Sequence, residues 1–255
     1  MKFLFVAPRF HTNQFPIVKG LVEKGHQVEF LVQYVGKSEN HSILKPTLLK
    51  KSILTRTIFN IIDRKYDANQ AESKKPKRYI PAFFDTYKRI REYHPDIVIL
   101  RNANRTTSMV YLICKVLGIN AVMLYTQEPL YKKTQKINIF NLFFQPKVRF
   151  TPVLFENIKD LKEKIECQTE IHKYYLPFVA ETNSLTAVRS YLQNKKIRIL
   201  DVGKYREYKN HFILVDAIDL LKKKDELIVT IIGQVENDEE KKYFETLQKY
   251  VIHKG

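Results

Sequence analysis

Short apolar runs alternate with segments of helical period almost from the first residue. Lys2–Ala7 (KFLFVA) is a nearly continuous apolar run with Pro8 behind it, which predicts a strand buried on both faces. Phe15, Ile17, Val18, Leu21 and Val22 recur at helical spacing, and Lys24-Gly25 supplies the stop signal. Val28–Val32 is the next strand, so a βαβ unit with a right-handed crossover, and hence a parallel sheet, opens the chain. The alternation resumes with a helix from Ile80 to about Tyr93, a strand Asp96–Leu100, a helix from about Thr107 to Leu117 and a strand Ala121–Tyr125. A short strand Val148–Val153, a charged helix Asn157–Ile165 and a last strand Tyr174–Phe178 complete this set.

The polar stretch Ala180–Lys195 has no strand signal and reads as a linker. A second β-α-β pattern follows: strand Ile197–Val202, helix Phe212–Leu221, strand Leu227–Ile232, then a charged helix over about Asp238–Tyr250. The expected organisation is a first α/β domain at 1–178, a linker at 179–195 and a partial second domain at 196–255. A single βαβα unit cannot bury a sheet on both faces, so the second domain is expected to be incomplete.

Tyr34–Tyr79 breaks the alternation. Leu54, Ile58, Ile61 and Ile62 fall at i, i+4, i+7 and i+8 with Phe59 beside them, while Arg56 and Asp63 face away, which predicts an amphipathic helix. Its apolar face is expected to pack on the first domain. Ten Lys and Arg between Lys45 and Arg78 stand against Asp63, Asp67 and Glu72, a composition suited to an anionic membrane surface.

Over 255 residues the formal net charge is +17, which implies anionic partners. No RNA- or DNA-binding signature accompanies the charge, so nucleic acid is not an expected partner. Cys114 sits in an apolar helical run and reads as core, and Cys167 has no CxxC partner; both fit a reducing compartment. The opening MKFLFVAPRF is too short for a signal peptide, and no run approaches a spanning helix, so a cytoplasmic protein is expected, peripheral at the inner face of the membrane. With seven glycines and no GxGxxG or GxxxxGK[ST], a dinucleotide dehydrogenase or P-loop enzyme is excluded. The seven histidines show no metal-ligand spacing, and no GxSxG elbow occurs, so no metal, cofactor or catalytic nucleophile is assigned.

The strongest signal is Ile199-Leu-Asp-Val-Gly-Lys-Tyr-Arg-Glu-Tyr-Lys-Asn-His211. A buried strand runs into Gly203, and a loop carrying Lys204, Arg206 and Lys209 leads into a helix. Cations beyond the carboxyl end of a strand, beside a helix N-terminus, suit a diphosphate; a solvated basic loop is the alternative. This loop resembles the G-R-L-x-x-x-K-G loop of the retaining glycosyltransferases of family four, which have the GT-B fold. The opening βαβ with Glu23-Lys-Gly-His-Gln-Val-Glu-Phe, the Asp96 strand, Tyr174-Leu-Pro-Phe and Val229-Thr-Ile-Ile-Gly233 are similar to the same family.

The resemblance implies two Rossmann-like domains, the first complete and the second begun. It also implies transfer of a sugar from a nucleotide diphosphate sugar to an acceptor hydroxyl, retaining and metal-independent, in polysaccharide or glycolipid synthesis. Lys204 and Lys209 take the positions of the family's diphosphate-binding Arg and Lys, with Asn210 where glycine is commoner. Arg9, His11 and Asn13 in the first loop, and Gln127 and Glu128 after the Ala121–Tyr125 strand, are the candidates for the acceptor side. Each is also a plausible surface-loop residue; Arg101 and Asn102 are weaker candidates. Three departures stand out. The first loop lacks the family's Gly-Gly, Thr126 stands where many members have His, and no two glutamates have the ExxxxxxxE spacing. The expectation is therefore a truncated chain, inactive alone. The runner-up is a non-catalytic acceptor- or membrane-binding subunit completed by a second chain.

Overall fold

The computed structural model describes residues 1–36, 39–65, 78–130, 144–155, 172–179, 197–221 and 226–254. The chain divides into two compact units, Met1–Thr182 and Asn183–Gly255. The expected helix Asn157–Ile165, Cys167 and the linker from 180 onward lie outside the described residues.

In the first unit seven strands form one parallel sheet: β1 (Lys2–Ala7), β2 (Gln27–Val32), β3 (Thr47–Leu48), β4 (Ile97–Arg101), β5 (Val122–Tyr125), β6 (Val148–Thr151) and β7 (His172–Tyr175). Their order is β3-β2-β1-β4-β5-β6-β7. The chain leaves the central β1 toward one edge, then returns to β4 and builds toward the other. The order therefore reverses between β1 and β4, a switch point beyond whose carboxyl ends ligands commonly bind in open α/β sheets.

Burial on both faces explains the unbroken apolar run of β1. Leu4 and Val6 pack with Val98, Leu100, Val110, Ile113 and Cys114 on one face, under α3 (Phe83–Tyr93) and α4 (Arg105–Val116). Phe5 and Ala7 pack with Phe10, Val18, Phe30 and Val32 on the other, under α1 (Phe15–Glu23). Each fully buried side chain of this kind contributes about 1.5–3 kcal/mol. Cys114 is core, as its apolar run indicated, and burial pushes its thiol up to about 12.

Several boundaries differ from the pattern, and one strand is new. The third helix starts at Phe83 rather than Ile80, because the 80–82 segment pairs with 50–52 through the Lys51–Pro81 bridge. β7 begins at His172, two residues earlier than its apolar stretch suggested, and stops before Pro177. β3 is only two residues long and leaves no periodic trace.

The amphipathic helix is α2 (Ile53–Lys65), and its buried stripe is the expected one in part: Ile62 and Phe59 are in it, Leu54 and Ile61 are not. Thr55, Phe59 and Ile62 face inward, with Thr55 Oγ1 donating to Ile80 O at 2.6 Å and accepting from Ile80 N–H at 2.8 Å. Ile53 (83 % exposed), Leu54 and Ile61 point to solvent. The hydrogen bond from Ala82 N–H to Lys50 O at 2.8 Å brings the start of α3 alongside, where Phe84 is also 83 % exposed.

The second unit pairs β8 (Ile197–Val202) with β9 (Leu227–Ile232) in parallel, with α5 (His211–Asp219) and α6 (Asp238–Lys254). Alternate side chains of the strands, Leu200 and Val202 on β8 and Ile228 and Ile232 on β9, remain exposed.

Candidate functional site

The carboxyl ends of β1 and β4 bring most of the first loop's candidates together. His11 caps the 3-10 turn Thr12–Gln14, its Nδ1 accepting from Asn13 N–H at 3.4 Å. Asn13 Oδ1 accepts from Arg101 Nη1 at 2.8 Å. Arg101 is the last residue of β4 and is only 7 % exposed, an unusual setting for a guanidinium. Among the described residues Asn13 is its hydrogen-bond partner, and no carboxylate pairs with it. Burial first, and Arg9 next among the depressing causes, hold its pKa below the ordinary value.

Burial, then the charges of Arg101 and Arg9, likewise depress His11, so its imidazole is neutral at neutral pH. Arg9 Nε lies 3.7 Å from buried Glu39. Asn102 follows in the left-handed region (φ 60), and Asn104 caps α4 through a capping box with Thr107. The carboxyl ends of β1 and β4 thus gather Arg9, His11, Asn13 and Arg101 beside the start of α4.

Gln127 and Glu128 behave differently. Gln127 is exposed. Glu128 lies 3.1 Å from Arg149 Nη1 on β6 and 4.0 Å from Lys173 Nζ on β7, so its carboxylate turns toward the far strands. Arg149 and Lys173 are adjacent in register. Neither buried cation was visible as a partner in sequence, because the pairing depends on strand register.

In the second unit the basic loop is built at the carboxyl ends of β8 and β9. Gly203 N–H donates to Ile232 O at 2.9 Å, and a Cβ on Gly233 would lie 2.3 Å from Gly203 O and 2.7 Å from the Tyr205 ring. Only glycine fits at 233, and the loops after the two strands therefore touch. Tyr205 is buried against Phe244, ring centroids 4.7 Å apart. Asn210 takes a left-handed conformation (φ 53) that glycine adopts most easily and asparagine tolerates.

His211 opens α5 fully buried, with Nδ1 2.8 Å from Asp201 Oδ2 and Nε2 3.2 Å from Lys204 O. It ties the end of β8 to the backbone of the loop. The three cations then part company. Arg206 Nε donates to Glu240 Oε1 at 2.6 Å, and this bond raises the arginine's pKa. Glu240 is 1 % exposed and its other oxygen accepts from Glu236 N–H at 2.7 Å, while Asn237 caps α6 through Glu240 N–H at 2.9 Å. Lys204 Nζ pairs with the Glu236 carboxylate. Lys209 Nζ lies over the Tyr208 ring at 5.6 Å, and among the described residues no carboxylate pairs with it. Its stem passes close to Gly203, where a Cβ would be 3.5 Å from Lys209 Cδ. Lys209 stays open to an anion, Lys204 meets one by exchanging its Glu236 partner, and Arg206 fastens α6 to the loop. Among the described residues no three His, Cys, Asp or Glu side chains gather as a metal-ligand set.

No family model matches the chain, and no curated protein matches it in sequence. Solved structures do. The MurG of Acinetobacter baumannii superposes with a TM-score of 0.50 at 16 % identity, covering 93 % of this chain and 68 % of that one. The MnaA of S. aureus in its UDP co-structure gives 0.46 at 13 % identity, covering 96 % and 65 %. The UDP-GlcNAc 2-epimerase of Methanocaldococcus jannaschii gives 0.45 at 13 %, covering 100 % and 70 %. The chain spans about two thirds of the length of these proteins. At such identities the likeness is one of fold, an α/β fold of the GT-B kind with a seven-stranded parallel sheet in the first unit.

Proposed function

We propose that this chain serves a glycosyltransferase that moves a sugar from a nucleotide diphosphate sugar to an acceptor hydroxyl, with retention and without a metal. The observation that carries the reading is the loop after β8, where Lys204 and Lys209 stand at the carboxyl end of a parallel strand just before α5. As the bond from the anomeric carbon to the phosphate oxygen breaks, its electron pair stays with the diphosphate. Two ammonium groups offset that growing charge, an electrostatic role typically worth about 2–4 kcal/mol per partner. His211 supports the loop from beneath.

On the first unit, Arg9, His11, Asn13 and Arg101 form the acceptor side of this reading. A buried guanidinium with no carboxylate partner among the described residues favours an acceptor that carries an anionic group. Peripheral attachment belongs to the same proposal. Ile53 and Leu54 on α2 and Phe83 and Phe84 on α3 are each exposed, near Lys51 and near Lys50 and Lys88, which pair with Asp85 and Glu92, a combination that suits an anionic bilayer. No helix among the described residues is long and apolar enough to cross a membrane.

The test is calorimetric titration with nucleotide diphosphate sugars, comparing the chain with Lys204→Ala and Lys209→Ala. Both variants are expected to bind donor roughly tenfold or more weakly. Unchanged binding in both would place the phosphate site elsewhere. The exposed Leu200, Val202, Ile228 and Ile232 support a second reading, a binding subunit completed by another chain, in which transfer appears only after that chain is added.

A further inference from the structure

We infer that Glu236 is a built-in competitor for the phosphate position at Lys204, and so a determinant of which anions the loop accepts. The inference rests on the diphosphate reading of that loop.

Three observations support it. First, the contact is placed by the fold rather than by chance side-chain reach. Gly233 and Gly203 meet backbone to backbone, so the segment after β9 must pass directly beside the segment after β8. Second, the backbone of Glu236 is fixed independently of its side chain, because its N–H donates to buried Glu240 at 2.7 Å and Glu240 is held by Arg206 at 2.6 Å. Third, the two carboxylates differ in what can displace them. Glu240 is 1 % exposed and has two donors. The Glu236 side chain is 33 % exposed and its partner Lys204 36 %, so water and ligand reach both.

The consequence is a loop neutralised at Lys204 but open at Lys209. A small anion at Lys204 must displace a carboxylate whose backbone stays in place, and then lie beside that displaced charge. Abundant monophosphates and sulfate therefore bind weakly there. A diphosphate reaches Lys209 as well and carries more charge, so it wins the exchange. When the ligand leaves, Glu236 returns to Lys204 and the loop keeps its shape.

Calorimetric titration of inorganic pyrophosphate tests this on the whole chain, in four forms: wild type, Glu236→Gln, Lys204→Ala and the double variant. Glu236→Gln removes the charge at constant size, and Glu236→Ala serves as a second variant should the amide find a new partner. Both are expected to tighten pyrophosphate binding by about fivefold, the scale of one exposed ion pair. Lys204→Ala is expected to weaken it, and Glu236→Gln added to Lys204→Ala to give less than twofold further change, since the competition is for that lysine. Equal or weaker binding by Glu236→Gln and Glu236→Ala, with Lys204→Ala still weakened, overturns this inference alone. Unchanged binding in Lys204→Ala and Lys209→Ala overturns both this inference and the diphosphate site on which it stands.

Discussion

Replacing Arg206 by methionine should cost stability and leave anion binding nearly intact. The sequence places Arg206 among three cations of one loop, but the structure gives its guanidinium to Glu240 at 2.6 Å. Removing it leaves a carboxylate that is 1 % exposed with only Glu236 N–H, at 2.7 Å, and its own helix start for support. Breaking a fully buried ion pair costs about 3–5 kcal/mol. The Arg206 side chain is 41 % exposed, so water can enter from that side and the loss is nearer about 2 kcal/mol. In a unit spanning Asn183–Gly255 that corresponds to a fall of roughly 10 °C in Tm. Adding Glu240→Gln should restore much of it, because the amide oxygen still accepts from Glu236 and no buried charge remains. Differential scanning calorimetry measures the stability, and pyrophosphate titration below the transition measures the site. A variant that melts like the wild type but binds pyrophosphate tenfold more weakly would show that Arg206 holds phosphate, and would refute the structural role.

Other outcomes follow from the first unit. Reversing Lys50, Lys51, Arg64 and Lys65 to Glu should release the chain from anionic vesicles, and Phe84→Ser with Ile53→Ser should weaken attachment without altering its salt dependence. Co-sedimentation across a salt series separates these effects, and equal binding to neutral vesicles would contradict the electrostatic part. Burial chiefly holds the folded pKa of His11 below the ordinary 6.5 of a free imidazole. The unfolded chain therefore takes up its proton first, and stability present above about pH 6.5 is lost as pH falls toward the folded pKa. In His11→Asn this part of the acid-side loss should vanish, as read from urea unfolding between pH 7 and 5; identical pH profiles would contradict the depressed titration.

The alternation of apolar runs made the sheet legible because β1, β2, β4 and β5 are each buried and nearly continuous. β7 was misplaced for the same reason: its apolar residues, Tyr174 through Phe178, extend past the strand, while His172 and Lys173 belong to it. The face of α2 was misread because hydrophobicity alone cannot see that Thr55 finds two partners on Ile80, letting a threonine take a buried slot that leaves Ile53 and Leu54 outside. The loop Gly203–Lys209 was legible as a basic turn between strand and helix. Its division of labour was not, since Glu236 and Glu240 lie 32 and 34 residues from the cations they pair with. Arg101 reads as the polar end of an apolar strand, and its burial at the β1–β4 switch point singles it out.

The central claim is that the loop after β8 holds the diphosphate of a nucleotide sugar. Isothermal titration of the whole chain with a panel of nucleotide diphosphate sugars tests it most directly, with the Lys204→Ala/Lys209→Ala double variant and His11→Asn alongside. At least one donor should bind the wild type saturably, at least about 30-fold more weakly to the double lysine variant, since two charged partners are lost, and undiminished to His11→Asn, whose residue lies on the first unit. A donor that binds wild type and the double lysine variant alike would contradict the account.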